Sequence, residues 1–239
     1  EQFKNLPSRN LTAIIGRVSF PVLSSFQDDN NQLRANYKKL ISVVMFITFI
    51  LMMGMAAIAK PLVLVLIGEQ WIPSIIYLQM LCFVGMLYPL HALNLNILNV
   101  KGRSDLFLKL EIIKKVLAVP IIIIGIFLGI KIMIVGIMVN SLIAYYMNSY
   151  WSGKLINYSV KEQLKDIVPS FLIALTVSVI VYLFNYFLPF NNLLKLVLGI
   201  SLGAIVTFTI SETLKFDSYL YLKEIVKLKI SELRNAKNK

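Results

Sequence analysis

Apolar residues in this chain occur in long runs separated by short polar gaps. The clearest run, 40–59, carries no formal charge and is long enough to cross the hydrocarbon core of a membrane as a helix. Lys60 and Pro61 follow, so this helix either continues past a proline kink or ends in a short re-entrant turn. The pattern predicts an all-α polytopic transmembrane bundle of about seven membrane helices, at 3–26, 40–59, 75–100, 106–130, 133–151, 167–187 and 193–210.

The last segment of the chain has a different pattern. In 215–239 apolar residues recur at helical spacing between many lysines, which is typical of an amphipathic helix on a membrane surface. We therefore predict two parts, a transmembrane bundle over 1–214 and a cytoplasmic, basic, amphipathic tail over 215–239. Since the chain begins at Glu1 inside a helical pattern, we also expect further membrane helices before it.

Composition and charge agree with a membrane protein. Of the 239 residues 58% are hydrophobic and 15% are charged, whereas soluble domains carry about 25% charged residues. The net charge of +12 lies in the gaps between apolar runs, so it indicates membrane topology and not a nucleic-acid partner. The single cysteine, Cys82, excludes an internal disulfide, and we expect neither a metal site nor a cofactor.

The distribution of basic residues predicts an orientation. Eighteen of the 24 Lys and Arg residues lie in one alternating set of gaps, at 27–39, 100–115, 152–166 and 212–239. Five lie in the other set, and Arg17 lies inside the first span. By the positive-inside rule the first set is cytoplasmic, which places the C-terminus in the cytoplasm and Lys4 and Arg9 outside.

Four stretches carry a family resemblance by their order and spacing: LPSRNLTAIIGRVSFPVLSSF, QDDNNQLRANYKK, PLVLVLIGEQW and LNLNILNVKGRSDLFLKLEIIKK, at 6–26, 27–39, 61–71 and 93–115. The chain resembles the polysaccharide-export, or O-antigen repeat-unit flippase, family of the multidrug/oligosaccharidyl-lipid/polysaccharide exporter superfamily. The resemblance is best over 1–130; in the later spans only the hydropathy agrees.

The resemblance implies a fold of roughly fourteen helices in two lobes of six plus two further helices. This chain would form the C-terminal lobe, and its partner would be the missing N-terminal lobe of the same protein. Similar proteins move an undecaprenyl-diphosphate-linked oligosaccharide across the bacterial inner membrane by alternating access, for O-antigen, capsule or exopolysaccharide synthesis. The implied partners are this lipid-linked substrate, membrane lipids and the polysaccharide polymerase machinery.

The first span contains the leading candidates for substrate binding. Asn10, Arg17 and Ser24 are seven residues apart and so share one helical face. Arg17 would face a polar cavity and bind the diphosphate or a sugar, because a guanidinium binds two oxygens at once. Alternatively, Arg17 reaches a lipid headgroup or pairs with an acid of the missing lobe. Arg9, nearer the outer surface, is either a release site or an interfacial anchor.

Two later spans supply further candidates. The charged group near the cytoplasmic end of the fourth span either forms an ion pair at headgroup level, for which Glu111 and Lys115 are suitably spaced, or provides a cationic entry site for the diphosphate. Lys109 is left without that pairing and is the candidate for the entry site. His91 and Asn94 either line the cavity and bind sugar hydroxyls or hydrogen-bond to neighbouring helices. All of these side chains sit on predicted helices.

Other functions are less consistent with the chain. It contains no nucleotide-binding glycine loop, no nucleophile elbow and no pair of intramembrane carboxylates, so we expect a transporter without its own ATP site and not an enzyme. A multidrug-extrusion antiporter is the first alternative, but a cationic interior favours anionic cargo. A membrane glycosyltransferase or polysaccharide polymerase is the second, and the short loops argue against it.

Overall fold

The computed structural model describes residues 19–224, 226 and 227, and this part of the chain contains helices but no strand. Residues 19–24 and 217–224 are helical. The helices between them are α1 (Asn30–Ala57), α2 (Ala59–Leu66), a 3-10 helix (Glu69–Ser74), α3 (Ile75–Gly85), α4 (Tyr88–Val100), α5 (Ser104–Leu128), α6 (Ile130–Ile156), α7 (Val160–Phe187) and α8 (Asn192–Thr213).

The all-α, polytopic bundle is confirmed, but a count of seven membrane helices is not. Five segments of the described chain are long and apolar enough to cross a membrane: α1, the stretch from Glu69 to Val100, α6, α7 and α8. The predicted first span lies mostly outside the described residues. Helix α5 is not among the five, because charges occupy its first half and leave only 116–128 uncharged.

Two of the predicted spans are interrupted, and a proline accounts for each interruption. Helix α1 ends at Ala57, four residues before Pro61, and α3 ends at Gly85, four residues before Pro89. A proline has no N–H with which to bond the carbonyl four residues earlier, so the helical ladder stops there. Gln79 satisfies a neighbouring carbonyl at the first break, since its Nε2 donates to the Ala56 oxygen over 3.1 Å.

Helix α1 forms the centre of the bundle. It packs along α7 and also contacts α3 and α4. Its buried residues recur every three or four positions, so one face of the helix supplies much of the core: Leu33, Tyr37, Ile41, Met45, Phe49 and Met52. Helices α5 and α6 form a hairpin, and α8 packs on α7 and α2.

Ion pairs join the first turns of α1 and α7. Arg34 Nη2 lies 2.7 Å from Glu162 Oε1, and Lys38 Nζ lies 3.2 Å from Asp166 Oδ1. The Tyr158 hydroxyl donates to Asp166 Oδ2 over 2.6 Å. These contacts fix the short α6–α7 connection against α1.

The part of the predicted tail that the structure describes folds back on the bundle. Lys223 Nζ lies 2.6 Å from Glu212 Oε1 of α8, and Phe216 packs against Phe46 of α1 with ring centroids 5.3 Å apart. The boundary at residue 214 and the amphipathic character of the rest of the tail stay predictions.

Candidate functional site

The structure describes only the end of the predicted cavity-lining stripe. Asn10, Arg17 and Arg9 lie outside the described residues. Ser24 is half-buried at the end of the helical stretch 19–24. The nearby Ser19 is fully buried, and its hydroxyl accepts a 2.8 Å hydrogen bond from Asn96 Nδ2 of α4. The C-terminal end of the first predicted span therefore packs directly against α4.

A group of polar side chains, which we call the polar seam, joins α4 to α6. His91 Nε2 lies 2.9 Å from Ser141 Oγ, and Asn148 Nδ2 lies 3.5 Å from His91 Nδ1. If the amide donates to Nδ1, the proton of a neutral imidazole is on Nε2 and points to Ser141. The polar seam consists of His91, Asn94, Ser141, Asn148 and Ser152.

Asn94 lies at the buried end of the polar seam. It is fully buried; its Nδ2 donates to the Leu90 oxygen over 2.9 Å, and its Oδ1 accepts from Ser152 Oγ over 2.5 Å. In this conformation both ends of the amide are occupied by protein. Asn94 could reach a sugar only if α4 and α6 separated, so its role in substrate binding stays a prediction.

Sequence reasoning missed the α6 half of the polar seam, although a signal was present. Ser141, Tyr145, Asn148 and Ser152 are spaced by four, three and four residues, which places them on one helical face. A polar stripe of this kind in a membrane helix is costly unless it contacts protein or water. The adjacent Ser149 is also fully buried.

Some polar atoms next to the seam have no protein partner. Among the described residues, Asn148 Oδ1 and Asn140 Oδ1 are buried without a hydrogen bond. Buried polar atoms in native proteins are almost always bonded to protein or to ordered water. We therefore expect the interior beside α6 to hold water or a polar ligand group.

Helix α5 presents its charges differently from the sequence prediction. Glu111 pairs with Lys114, not with Lys115, so the predicted partner was wrong. The reason is burial: the Lys114 side chain is only 16% exposed and would be costly without a counter-charge, whereas Lys115 is exposed. Lys109 is exposed and forms no ion pair within the described chain.

The comparisons with known proteins agree with this architecture. Residues 1–76 match the family described as "Polysaccharide biosynthesis protein". The chain is 31% identical over 202 residues to the lipopolysaccharide biosynthesis protein WzxC of Escherichia coli K12, a match that covers 84% of this chain and 38% of the relative. It is 29% identical over 198 residues to an uncharacterized membrane protein in the cps region of Klebsiella pneumoniae, covering 80% of this chain and 36% of the relative.

A third relative extends the comparison to another polysaccharide. The chain is 27% identical over 105 residues to the teichuronic acid biosynthesis protein TuaB of Bacillus subtilis, covering 44% of this chain and 22% of the relative. No solved structure matches the chain. The chain spans less than two-fifths of the length of each of these relatives.

The fold and these matches define a class of protein, the multi-pass membrane proteins of polysaccharide biosynthesis. Within that class the chain is similar to the polysaccharide-export family, and the resemblance stated from the sequence is confirmed.

Proposed function

We propose that this chain forms part of a transporter that moves an undecaprenyl-diphosphate-linked oligosaccharide repeat unit across the bacterial inner membrane by alternating access. The observation that carries the proposal is the 31% identity with a lipopolysaccharide biosynthesis protein, which extends over 84% of the chain. A carrier role also agrees with the short connections between the described helices.

The chemistry of such a substrate makes two demands on the protein. Sugar hydroxyls need hydrogen-bonding partners inside the membrane, and the polar seam and the unpartnered atoms of α6 supply donors and acceptors there. The diphosphate needs cations. Arg17 in the cavity, with Asn10 and Ser24 on the same face, remains our candidate for that contact, and Arg9 is our candidate for release.

Lys109 is our candidate for the first contact on the cytoplasmic side. It is exposed on α5, and Glu111 of the same helix is committed to Lys114. Lys109 therefore forms no ion pair with a carboxylate of α5, and its charge is available to an approaching diphosphate. The surplus of cations also favours anionic cargo over the cationic drugs of multidrug antiporters.

The interruption between α3 and α4 supports the proposal that α4 moves during transport. Helix α4 begins at Tyr88, directly after the break that Pro89 imposes, and His91 lies in its first turn. Discontinuous helices in transporters commonly lie at binding sites and allow one segment to move relative to another. We infer that α4 shifts against α6 during transport, and that the polar seam exchanges its protein hydrogen bonds for bonds to sugar.

Complementation tests the proposal. The intact protein is expressed, with the genes that make its own lipid-linked precursor, in a strain that lacks a repeat-unit flippase, and surface polysaccharide is measured at equal expression. We expect the wild type to restore polysaccharide and Arg17→Ala to abolish it. Arg17→Lys should restore it in part, because lysine keeps the positive charge but cannot bind two oxygens at once as a guanidinium does. Failure of the wild type with its own precursor present would refute the flippase function.

A second pair of variants tests the role of Lys109. Lys109→Ala should lower the rate of polysaccharide appearance, and Lys165→Ala, which removes an exposed lysine from α7, serves as the matched control. Equal effects of the two substitutions would show that only the overall positive charge matters and would remove Lys109 from the substrate path.

A further inference from the structure

A cleft lies between the C-terminal end of α6 and the N-terminal end of α7. It has a volume of about 560 Å³ and is open to the outside of the bundle. Helix α6 ends at Ile156, and Asn157, in the left-handed conformation with φ of 53°, turns the chain toward α7. The residues that define its chemistry are Tyr146, Tyr150, Lys154, Tyr158, Lys161 and Glu162.

Aromatic rings hold one cation of the cleft in place. Lys154 Nζ lies 4.6 Å from the centroid of the Tyr150 ring and 5.7 Å from that of Trp151. Tyr146 stacks on Tyr150 with ring centroids 6.4 Å apart. A lysine held by ring faces is positioned without a carboxylate, so its charge remains available to an anion.

The acidic group of the cleft is already engaged. Glu162 Oε1 accepts from Arg34 at 2.7 Å, and its Oε2 accepts from the Ser159 backbone N–H at 2.8 Å. Within the described chain, Lys154 and Lys161 form no ion pair. Lys161 lies in the first turn of α7, where the positive end of the helix dipole disfavours a cation, so helix stability does not explain its position.

An apolar track connects the cleft with the hydrocarbon region. Exposed side chains of α6 recur at three- or four-residue spacing up to the aromatic rings: Val135, Val139, Leu142, Tyr146 and Tyr150. A ligand that fits both features has an anionic head and a long apolar tail. A free phosphate ion would use only the lysines and leave the track empty.

We propose that this cleft binds the headgroup phosphate of an acidic bilayer phospholipid, phosphatidylglycerol or cardiolipin, with the acyl chains along α6. Basic pockets between membrane helices on the cytoplasmic side bind such headgroups, and 152–166 belongs to the gaps with predicted cytoplasmic location. The lipid bridges Lys154 of α6 and Lys161 of α7. Ser149 also lines the cleft, but the lipid proposal rests on Lys154, Lys161 and the apolar face of α6, none of which is assigned to the substrate.

Native mass spectrometry of the intact detergent-purified protein, titrated with defined lipids, tests the proposal. Phosphatidylglycerol and cardiolipin should bind at least tenfold more tightly than phosphatidylcholine. Lys154→Gln and Lys161→Gln should each weaken binding of the acidic lipids about fivefold, as expected for one cation near an anionic headgroup. Lys154→Arg, which keeps the charge over the rings, should bind within twofold of the wild type.

Lys165→Gln is the matched control, because it removes an exposed lysine one turn further along α7 that does not line the cleft. It should leave lipid binding unchanged. Equal binding of phosphatidylcholine, or an equal loss with Lys165→Gln, would overturn the site. Displacement of the lipid by millimolar inorganic phosphate, or tighter cleft-dependent binding of a polyprenyl diphosphate, would overturn the assignment to a bilayer phospholipid. A chromatographic profile like that of the wild type establishes that each variant is folded.

Discussion

The close approach of the α6 end to the following turn makes Gly153 the position most sensitive to a single methyl group. Gly153 is buried, and its carbonyl accepts from the Tyr158 backbone N–H over 3.0 Å. A Cβ added at this position would lie 2.4 Å from the Tyr158 carbonyl oxygen. Gly153→Ala therefore forces the backbone at Tyr158 away from the end of α6.

The size of this displacement follows from the geometry. Since Cβ atoms essentially never approach other heavy atoms closer than 3.0 Å, the turn has to move by at least 0.6 Å. The turn carries Tyr158, whose hydrogen bond to Asp166 joins α7 to its own N-terminal loop. Overpacking of this kind costs about 1–3 kcal/mol, and we expect the upper part of that range because backbone, not a flexible side chain, has to move.

Cys82 supplies the assay. It is the chain's one cysteine and is 1% exposed, so a thiol-reactive fluorophore labels it only when the bundle opens. Thermal unfolding of the purified protein followed in this way should show a midpoint several degrees lower for Gly153→Ala. The matched control is Gly54→Ala in the last turn of α1, where a new Cβ meets nothing within 4 Å. That change should not lower the midpoint, since alanine favours a helix over glycine.

A midpoint for Gly153→Ala equal to that of the wild type would refute the reasoning, because it would mean that the α6–α7 turn lacks the close contact described. A similar decrease in the midpoint with Gly54→Ala would indicate that any added methyl group on a membrane helix destabilises the protein. It would then not be possible to attribute the effect of Gly153→Ala to the close contact with Tyr158.

Three further predictions concern separate contacts. A double-mutant cycle with Asn94→Ala and Ser152→Ala should give a coupling of about 0.6–1.7 kcal/mol by thermal unfolding, as found for hydrogen bonds between membrane helices, and additive effects would contradict the bond. Burial and the Asp166 carboxylate raise the pKa of Tyr158, so its contribution to the free energy of unfolding is fully present below the pKa of tyrosine in the unfolded chain, about 10, and is lost as the pH rises above that value. Tyr158→Phe should reduce this loss of stability at alkaline pH. An unchanged dependence of stability on pH would contradict the burial of the hydroxyl. Gly125→Ala places a Cβ 2.5 Å from a side chain of α6 and should lower the unfolding midpoint, whereas an unchanged midpoint would contradict the close α5–α6 packing.

Hydropathy identified the membrane helices well because the solvent imposes the pattern. A helix in a bilayer needs about 20 apolar residues and an internally bonded backbone, and both requirements act on consecutive residues. Residues 40–57 of the predicted span 40–59 thus lie in the observed helix Asn30–Ala57, and residue 59 begins the next helix. The start of that helix at Asn30 was missed, because its first turns carry polar residues that a hydropathy window excludes.

The interruption at Gly85 shows a limit of another kind. Pro89 was visible in the sequence, yet the prediction was a continuous span over 75–100. A proline in a membrane helix produces either a kink or a break, depending on whether neighbouring groups satisfy the freed carbonyls. Those neighbours are set by packing, so the local pattern leaves both outcomes open.

The sequence by itself determined the class of protein, the position of most apolar helices and the presence of costly polar groups within them, because lipid solvation acts on each segment separately. The tertiary structure decided which of those polar groups meet. His91 and Ser141 are 50 residues apart in the chain, Asn94 and Ser152 are 58 apart, and Arg34 and Glu162 are 128 apart. Their pairing depends on how whole helices rotate and pack against one another, and that arrangement is fixed by the sum of many side-chain contacts and not by any one segment.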